Sequence, residues 1–361
     1  MSTPTLDTVS SRSGSRHDLP LTHPTLPRFA PVLVGVMAVA ATLLVGLLLD
    51  WGFGLTAVAA VVLFAVALPA WSRAVEGGRA AKDRLVTTLV WSAFGIAMLP
   101  LVTLIYEVVS NGAKMMTVEF FTYSMRNVIG EGGGIYHAIM GTLVITLFAT
   151  LISVPVGIMA AVYLVEYGKG NRLARTITFL VDVMTGIPSI VAGLFAYALF
   201  VIFFGPGVRM GFGGSIALSV LMIPIVVRSA EEMLKLVPDE LREASYALGV
   251  PKWRTILKVV LPTSLAGIVT GVMLAVARVA GETAPLLIIA GDTDSVNFNA
   301  FSERMATLPV FIYYSFTQPG VPPEAGQDRA WGAALVLIAI VMSLNLVARG
   351  VSRFFSPKGS R

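Results

Sequence analysis

Long apolar runs, at roughly 29–49, 54–72, 85–106, 136–165, 173–204, 215–228, 262–284 and 330–348, punctuate this sequence. Most reach the ~20 residues that a helix needs to cross ~30 Å of hydrocarbon. They are continuous rather than alternating, which excludes the period-two pattern of a membrane β-barrel. The 361 residues are 56% hydrophobic and 13% charged, where a soluble domain carries ~25% charged residues. The expected fold is therefore an all-α polytopic membrane protein with eight transmembrane helices. The shortest run ends at Arg228, and its helix is expected to continue through Ser229 to Leu236 beyond the membrane.

Charge orients these spans. Of the 26 lysines and arginines, Lys114, Arg126, Arg209, Arg304 and Arg329 fall in segments of one side and Arg278 falls in a span. All the others fall on the opposite side, which the positive-inside rule makes cytoplasmic, with both termini there. The net charge of +5 follows from that bias and needs no nucleic-acid partner. There is no cysteine, which excludes disulfides and thiolate chemistry. His17, His23 and His137 are scattered without metal-ligand spacing, so neither a metal nor a cofactor is expected, and no catalytic group either.

Residues 1–28 are rich in Ser, Thr and Pro and read as a disordered cytoplasmic tail. Residues 29–84 read as a two-helix membrane hairpin turning at Asp50-Trp51-Gly52, followed by a charged linker from Arg73 to Arg84. Residues 85–350 form the expected core, and 351–361 a basic cytoplasmic tail. Met115 to Met125 has the pattern of a short interfacial helix with Phe120, Phe121 and Tyr123 at the membrane surface. The run from Gly130 to Gly134 does not fit G-x-G-x-x-G and reads as a flexible lead-in to the next span. Thr185 to Ser189, around Pro188, marks a kink or a break in the fifth span. Asp182 is expected to pair with a nearby base.

The most informative stretch runs from Glu231 to Pro285. Pro238-Asp239-Glu240 is a helix start, with acids at the positive end of the dipole. Leu241, Ala244, Ser245 and Leu248 then share one helix face, offered here as a docking face. Gly249 stops the helix and Pro251 begins the next. Beyond Pro262 an apolar helix carries Arg278 and Glu282 four residues apart, and they are expected to share one helix face. Two ionisable groups in a span cost at least a few kcal/mol each unless paired or hydrated. From the residues alone, they form either a structural ion pair or part of a polar pathway.

Glu243, Ala244, Ser245, Gly249, Val259, Leu261 and Pro262 stand at the spacing E-A-A-x3-G-x9-I-x-L-P. This resembles the signature of bacterial binding-protein-dependent ABC permeases, with Ser245 for the second alanine and Val259 for isoleucine. The resemblance covers residues 85–350 and implies a six-helix, MetI-like importer core, to which the N-terminal hairpin is an addition. It also implies that the loop at 231–262 docks on a cytoplasmic ATPase, and that this chain is a plasma-membrane transport subunit rather than an enzyme. No G-x-x-x-x-G-K-[ST] loop occurs in the chain.

Three further segments, GGGIYHAIMGTLVITL at 132–147, GIPSIVAGLF at 186–195 and ARVAGETAPLL at 277–287, resemble the phosphate-specific permeases, A-type. That resemblance implies a pathway for inorganic phosphate using Arg278, Glu282 and Thr283. It further implies a heterodimer with a C-type permease, two ATPase copies, and a phosphate-binding protein docking outside. The alternatives are a permease for sulfate, molybdate or phosphonate, or a secondary transporter or channel working without ATP.

Overall fold

The computed structural model describes residues 25–168 and 170–355. The expected N-terminal tail lies outside the described residues up to residue 24, and the basic C-terminal tail beyond Phe355. The described residues are helical, with no strand among them. Seven helices are long and apolar enough to cross a membrane, and a bent pair makes an eighth if it is counted as one span. The chain divides into two compact units at Leu104–Ile105.

In the first unit, α1 (Ala30–Leu48) and α2 (Phe53–Val75) form the hairpin. Ala30, Val34, Ala38, Thr42 and Gly46 make a buried stripe at intervals of one turn. A Cβ on Gly46 would lie 2.8 Å from Thr56 Oγ1, so glycine is what lets the two helices approach there. The charged linker is mostly helix, because α3 (Gly78–Gly112) starts almost at once. Glu76 fastens this corner. It accepts from Arg84 Nε at 2.7 Å and Nη2 at 2.8 Å, from the Ser72 hydroxyl at 2.6 Å and from the Leu26 amide at 2.6 Å.

The second unit continues through α4 (Val118–Thr122), α5 (Tyr136–Val162), α6 (Arg172–Thr185), α7 (Ser189–Phe204) and α8 (Gly211–Lys235). It is completed by α9 (Asp239–Ala247), α10 (Lys252–Thr255), α11 (Leu261–Ala280), α12 (Ala284–Ile289), α13 (Leu308–Thr317) and α14 (Pro323–Phe355). Helix α8 is the centre. Of its most apolar window 61% is buried, against 28% for the windows of α5 and α11. Small residues make this possible. Ser215 and Ser219 donate to the Ile145 and Ala149 carbonyls of α5 at 3.1 and 3.4 Å. A Cβ on Gly157 would lie 2.6 Å from Val226. Membrane helices associate through such close packing rather than through hydrophobic transfer.

One expectation holds here and two change. First, the fifth apolar run breaks where Thr185 to Ser189 marks it: α6 and α7 meet at 110°, with Gly186 capping the first and Pro188 preceding the second. Proline cannot continue the hydrogen-bond ladder of α6. Second, α4 is only five residues long, and Phe120 is a core residue packed with Ile135, Leu308 and Phe311 rather than an interfacial one. Third, the glycine-rich run is held in place: Arg329 donates to the Gly130 and Gly132 carbonyls at 2.7 and 3.1 Å.

Candidate functional site

The loop after α8 is built as the sequence pattern implies, with differences in detail. Pro238 sits in extended geometry just before α9 rather than inside it, and Asp239 and Glu240 occupy the first turn. Gly249 adopts φ +74°, the left-handed conformation that ends helices cheaply only at glycine. The chain then re-enters helix after Pro251 and passes through a π-helical turn, Ile256–Val260, into α11. That turn has a cause in Pro262, which lacks an N–H and whose ring crowds the carbonyl four residues back. The wider turn relieves both.

Ser245 is not on the expected docking face. Its side chain is buried and its Oγ lies 2.8 Å from Thr255 Oγ1, joining the two arms of the loop. Glu243, Ala244, Leu241 and Leu248 are exposed. The outward surface is therefore formed without Ser245, whose hydroxyl has an internal partner that a second alanine would lack. Val259 lies in the π-helical turn, while Leu261 and Pro262 open α11.

An anchor of this loop was not legible in the motif. Arg242 donates to Glu166 Oε1 at 2.9 and 3.0 Å and to the carbonyls of Val237 and Leu234 at 2.6 and 3.0 Å. Glu166 is buried, at the end of a π-helical turn (Tyr163–Tyr167) that extends α5. Lys252 reaches the Glu166 carbonyl from the other arm of the loop, with its ammonium over the Tyr167 ring. Both arms thus hang from the end of α5. Nearby, Asp182 pairs with Arg228, as expected, and Arg228 also bonds Glu231 at 2.8 Å.

At the other end of α11 the expected geometry does not hold. The helix stops at Ala280 with Gly281 as its cap, so Glu282 lies in a turn and not on the face of Arg278. The cause is Pro285, which cannot donate to the Gly281 carbonyl and therefore starts a new helix, α12, near its first position. Among the described residues no ion pair joins Arg278 to Glu282. Arg278 is exposed on a stripe with Thr270, Leu274 and Gly281, while Glu282 and Thr283 are half-buried.

The three segments that carried the closer resemblance pack into one region. Gly193 of α7 lies against Pro285, where an added Cβ would come within 2.6 Å of the Pro285 Cα. A Cβ on Gly214 of α8 would meet Leu286, Ala290 and Ile145 at 3.0 to 3.4 Å. Thr142 Oγ1 accepts the Leu308 amide at 2.8 Å. Helix α12 is thus wedged between α7 and α8, directly after the turn that carries Glu282.

Comparison with known proteins matches residues 153–361 to the family model described as "Binding-protein-dependent transport system inner membrane component". Phosphate transport system permease protein PstA 1 of Mycobacterium tuberculosis is 48% identical over 286 residues, 78% of this chain and 91% of that protein. Phosphate transport system permease protein PstA of Yersinia pestis is 39% identical over 278 residues, 76% of this chain and 91% of that protein. Among solved structures, a chain of the MetNI methionine ABC transporter in inward facing conformations aligns with TM-score 0.48 at 21% identity. That alignment covers 62% of this chain and 95% of that one.

Proposed function

This chain belongs to the family of binding-protein-dependent transport system inner membrane components, and from that membership we propose that it is a permease subunit of an ATP-driven importer of inorganic phosphate. The observation that carries the reading is Arg278, an exposed arginine near the end of an apolar helix with no carboxylate partner among the described residues. In hydrocarbon such a group costs at least a few kcal/mol. Its stripe with Thr270, Leu274 and Gly281 therefore faces a partner permease and the hydrated path between the two subunits. A guanidinium presents a fixed fork of donors suited to phosphate oxygens. The names of the relatives, phosphate transport permeases 48% and 39% identical to this chain, supply the anion.

Glu282, free of Arg278, is a hydrogen-bond acceptor for a protonated phosphate, which sulfate cannot satisfy. Thr283 adds a hydroxyl beside it. This favours phosphate over sulfate. On the cytoplasmic side, Glu243, Ala244, Leu241 and Leu248 form the surface offered to the ATPase. Gly249, Ser245, Val259, Leu261 and Pro262 shape the loop and its junction with α11. Both termini are cytoplasmic, the partner is a C-type permease, two ATPase copies drive the cycle, and a soluble phosphate-binding protein docks outside.

The test is uptake by the complex reconstituted in proteoliposomes with its binding protein. Wild type is expected to accumulate phosphate with ATP and not with a membrane potential alone. Arg278→Ala is expected to reduce uptake at least about tenfold, the scale of a lost charge-assisted hydrogen bond, with assembly unchanged. Uptake at the wild-type rate removes Arg278 from the pathway, and sulfate uptake at the phosphate rate overturns the substrate.

A further inference from the structure

At the end of α8 remote from the ATPase-facing loop, about 37 Å away along 25 residues of helix, a second pair of basic side chains converges. Arg209 precedes α8 and Arg304 precedes α13, and both are exposed. They line a cleft of about 460 Å³ together with Thr293, Ser295, Asn297 and Glu303.

The backbone fixes this convergence. Met210, next to Arg209, donates its amide to the Ile289 carbonyl at 2.9 Å. Met305, next to Arg304, donates to the Ala290 carbonyl at 3.1 Å. All four anchoring residues are buried. The two arginines therefore flank the next residue, Gly291. It turns through φ +75°, and a Cβ there would lie 3.1 Å from Arg209 Cδ and 3.3 Å from Arg304 Cδ. Asn297 steadies the same loop by donating to the Ser302 and Arg304 carbonyls at 2.7 and 3.1 Å.

Asp292 feels the Arg304 charge and Glu303 lines the cleft, but neither guanidinium is engaged directly. Among the described residues neither arginine enters an ion pair. Two guanidiniums held on either side of one glycine repel each other, and an anion between them removes that repulsion. Arginine pairs bind phosphate oxygens through directed, charge-assisted hydrogen bonds. The Thr293 and Ser295 hydroxyls line the same space as neutral donors. Burial raises the pKa of Asp292, beside the cleft, against the opposing Thr293 amide and the Arg304 guanidinium. Glu303 is the one carboxylate lining the cleft among the six residues named. It accepts a hydrogen bond from a protonated oxyanion and repels one without a proton.

We propose that this cleft is an anion site that holds inorganic phosphate, in a protonated form, between Arg209 and Arg304 on the outer side of the subunit, before the anion reaches Arg278. The anion's identity and the outer placement rest on the function proposed above. The chain itself links the two places, since α12 runs from the turn at Glu282 directly into Gly291.

The test is equilibrium binding of radiolabelled inorganic phosphate to the complex purified with its partner permease and ATPase in lipid nanodiscs, without the binding protein. Saturable binding is expected. Arg209→Gln with Arg304→Gln should weaken it at least about tenfold, and Arg278→Ala should leave it in place. Ser295→Asp retains both arginines and adds a carboxylate on the loop, and should weaken binding by a similar factor. Sulfate should compete at least about tenfold less well, and Glu303→Gln should narrow that gap. Absence of saturable binding, or unchanged affinity in the double variant and in Ser295→Asp, overturns the site. Equal competition by sulfate overturns its selectivity for a protonated anion. Loss of uptake in Arg278→Ala with binding retained separates this site from the pathway residue.

Discussion

Arg242 reaches back 76 residues to Glu166, donating through Nε and Nη2 to one carboxylate oxygen at 3.0 and 2.9 Å. Both side chains are nearly removed from solvent, 12% and 5% exposed. Such a pair contributes little net stability when intact, but removing one partner strands the other, at about 3–5 kcal/mol. Arg242 also bonds the Val237 and Leu234 carbonyls, so Glu166→Gln leaves it partly satisfied. Glu166→Gln is expected to destabilise the chain by less than Arg242→Ala. If the loop docks on the ATPase as proposed, Glu166→Gln should also lower phosphate uptake per ATP hydrolysed, because it loosens that loop from α5. ATPase and uptake rates measured on one reconstituted preparation check this; an unchanged ratio contradicts it.

The separation of Arg278 from Glu282 makes a second prediction. Residues joined in an ion pair show coupled mutational effects, whereas residues without a shared partner add within about 0.5 kcal/mol. Arg278→Gln and Glu282→Gln are therefore expected to change unfolding stability additively. A double-mutant cycle on the purified chain reads this directly. A coupling energy above about 1 kcal/mol would restore the ion pair.

Gly193 meets the Pro285 backbone so closely that a side chain there has no soft neighbour to displace. Overpacking of this kind costs about 1–3 kcal/mol. Gly193→Val is expected to lose that amount by pushing α7 from α12. Gly205→Ala provides a matched contrast: the added methyl has open space, but φ +88° makes it strained for a backbone reason alone. Thermal unfolding of both variants tests the packing account. Only Gly193→Val should also depress uptake, since it moves the helix that follows Glu282.

The membrane class and the loop were legible because each rests on a local rule: ~20 apolar residues to span hydrocarbon, and Gly249 in a left-handed helix stop. The α11 break was written in Pro285, yet the apolar run at 262–284 carried the expected helix past Gly281 and concealed it. Hydropathy does not register a missing N–H. Glu166 and Arg242 are far apart in sequence, so no window of residues joins them. The inward turn of Ser245 was hidden for a different reason. Its helix position is compatible with either side until the partner hydroxyl, Thr255, is placed. Phe120 shows the same limit, since an aromatic near a membrane surface and one in a core look alike in sequence.

Glu76 makes the pH dependence explicit. The Arg84 guanidinium first, then the Ser72 hydroxyl and the Leu26 amide, hold its carboxyl down to about 2, from an ordinary value of 4.5. A carboxylate whose pKa is depressed by folding contributes stability that is complete above the unfolded pKa and disappears as pH falls through the folded one. The window therefore runs from about pH 4.5 down to about pH 2. Glu76→Gln cannot titrate, so it should melt at a lower temperature than wild type at pH 7, and the difference should shrink steadily across that window. Other carboxylates titrate in both proteins and cancel in the difference. Thermal unfolding in detergent, followed by tryptophan fluorescence, measures it, with Trp71 and Trp91 reporting from the same unit. A difference that stays constant between pH 5 and pH 2.5 would show that Glu76 is not held as a carboxylate by Arg84.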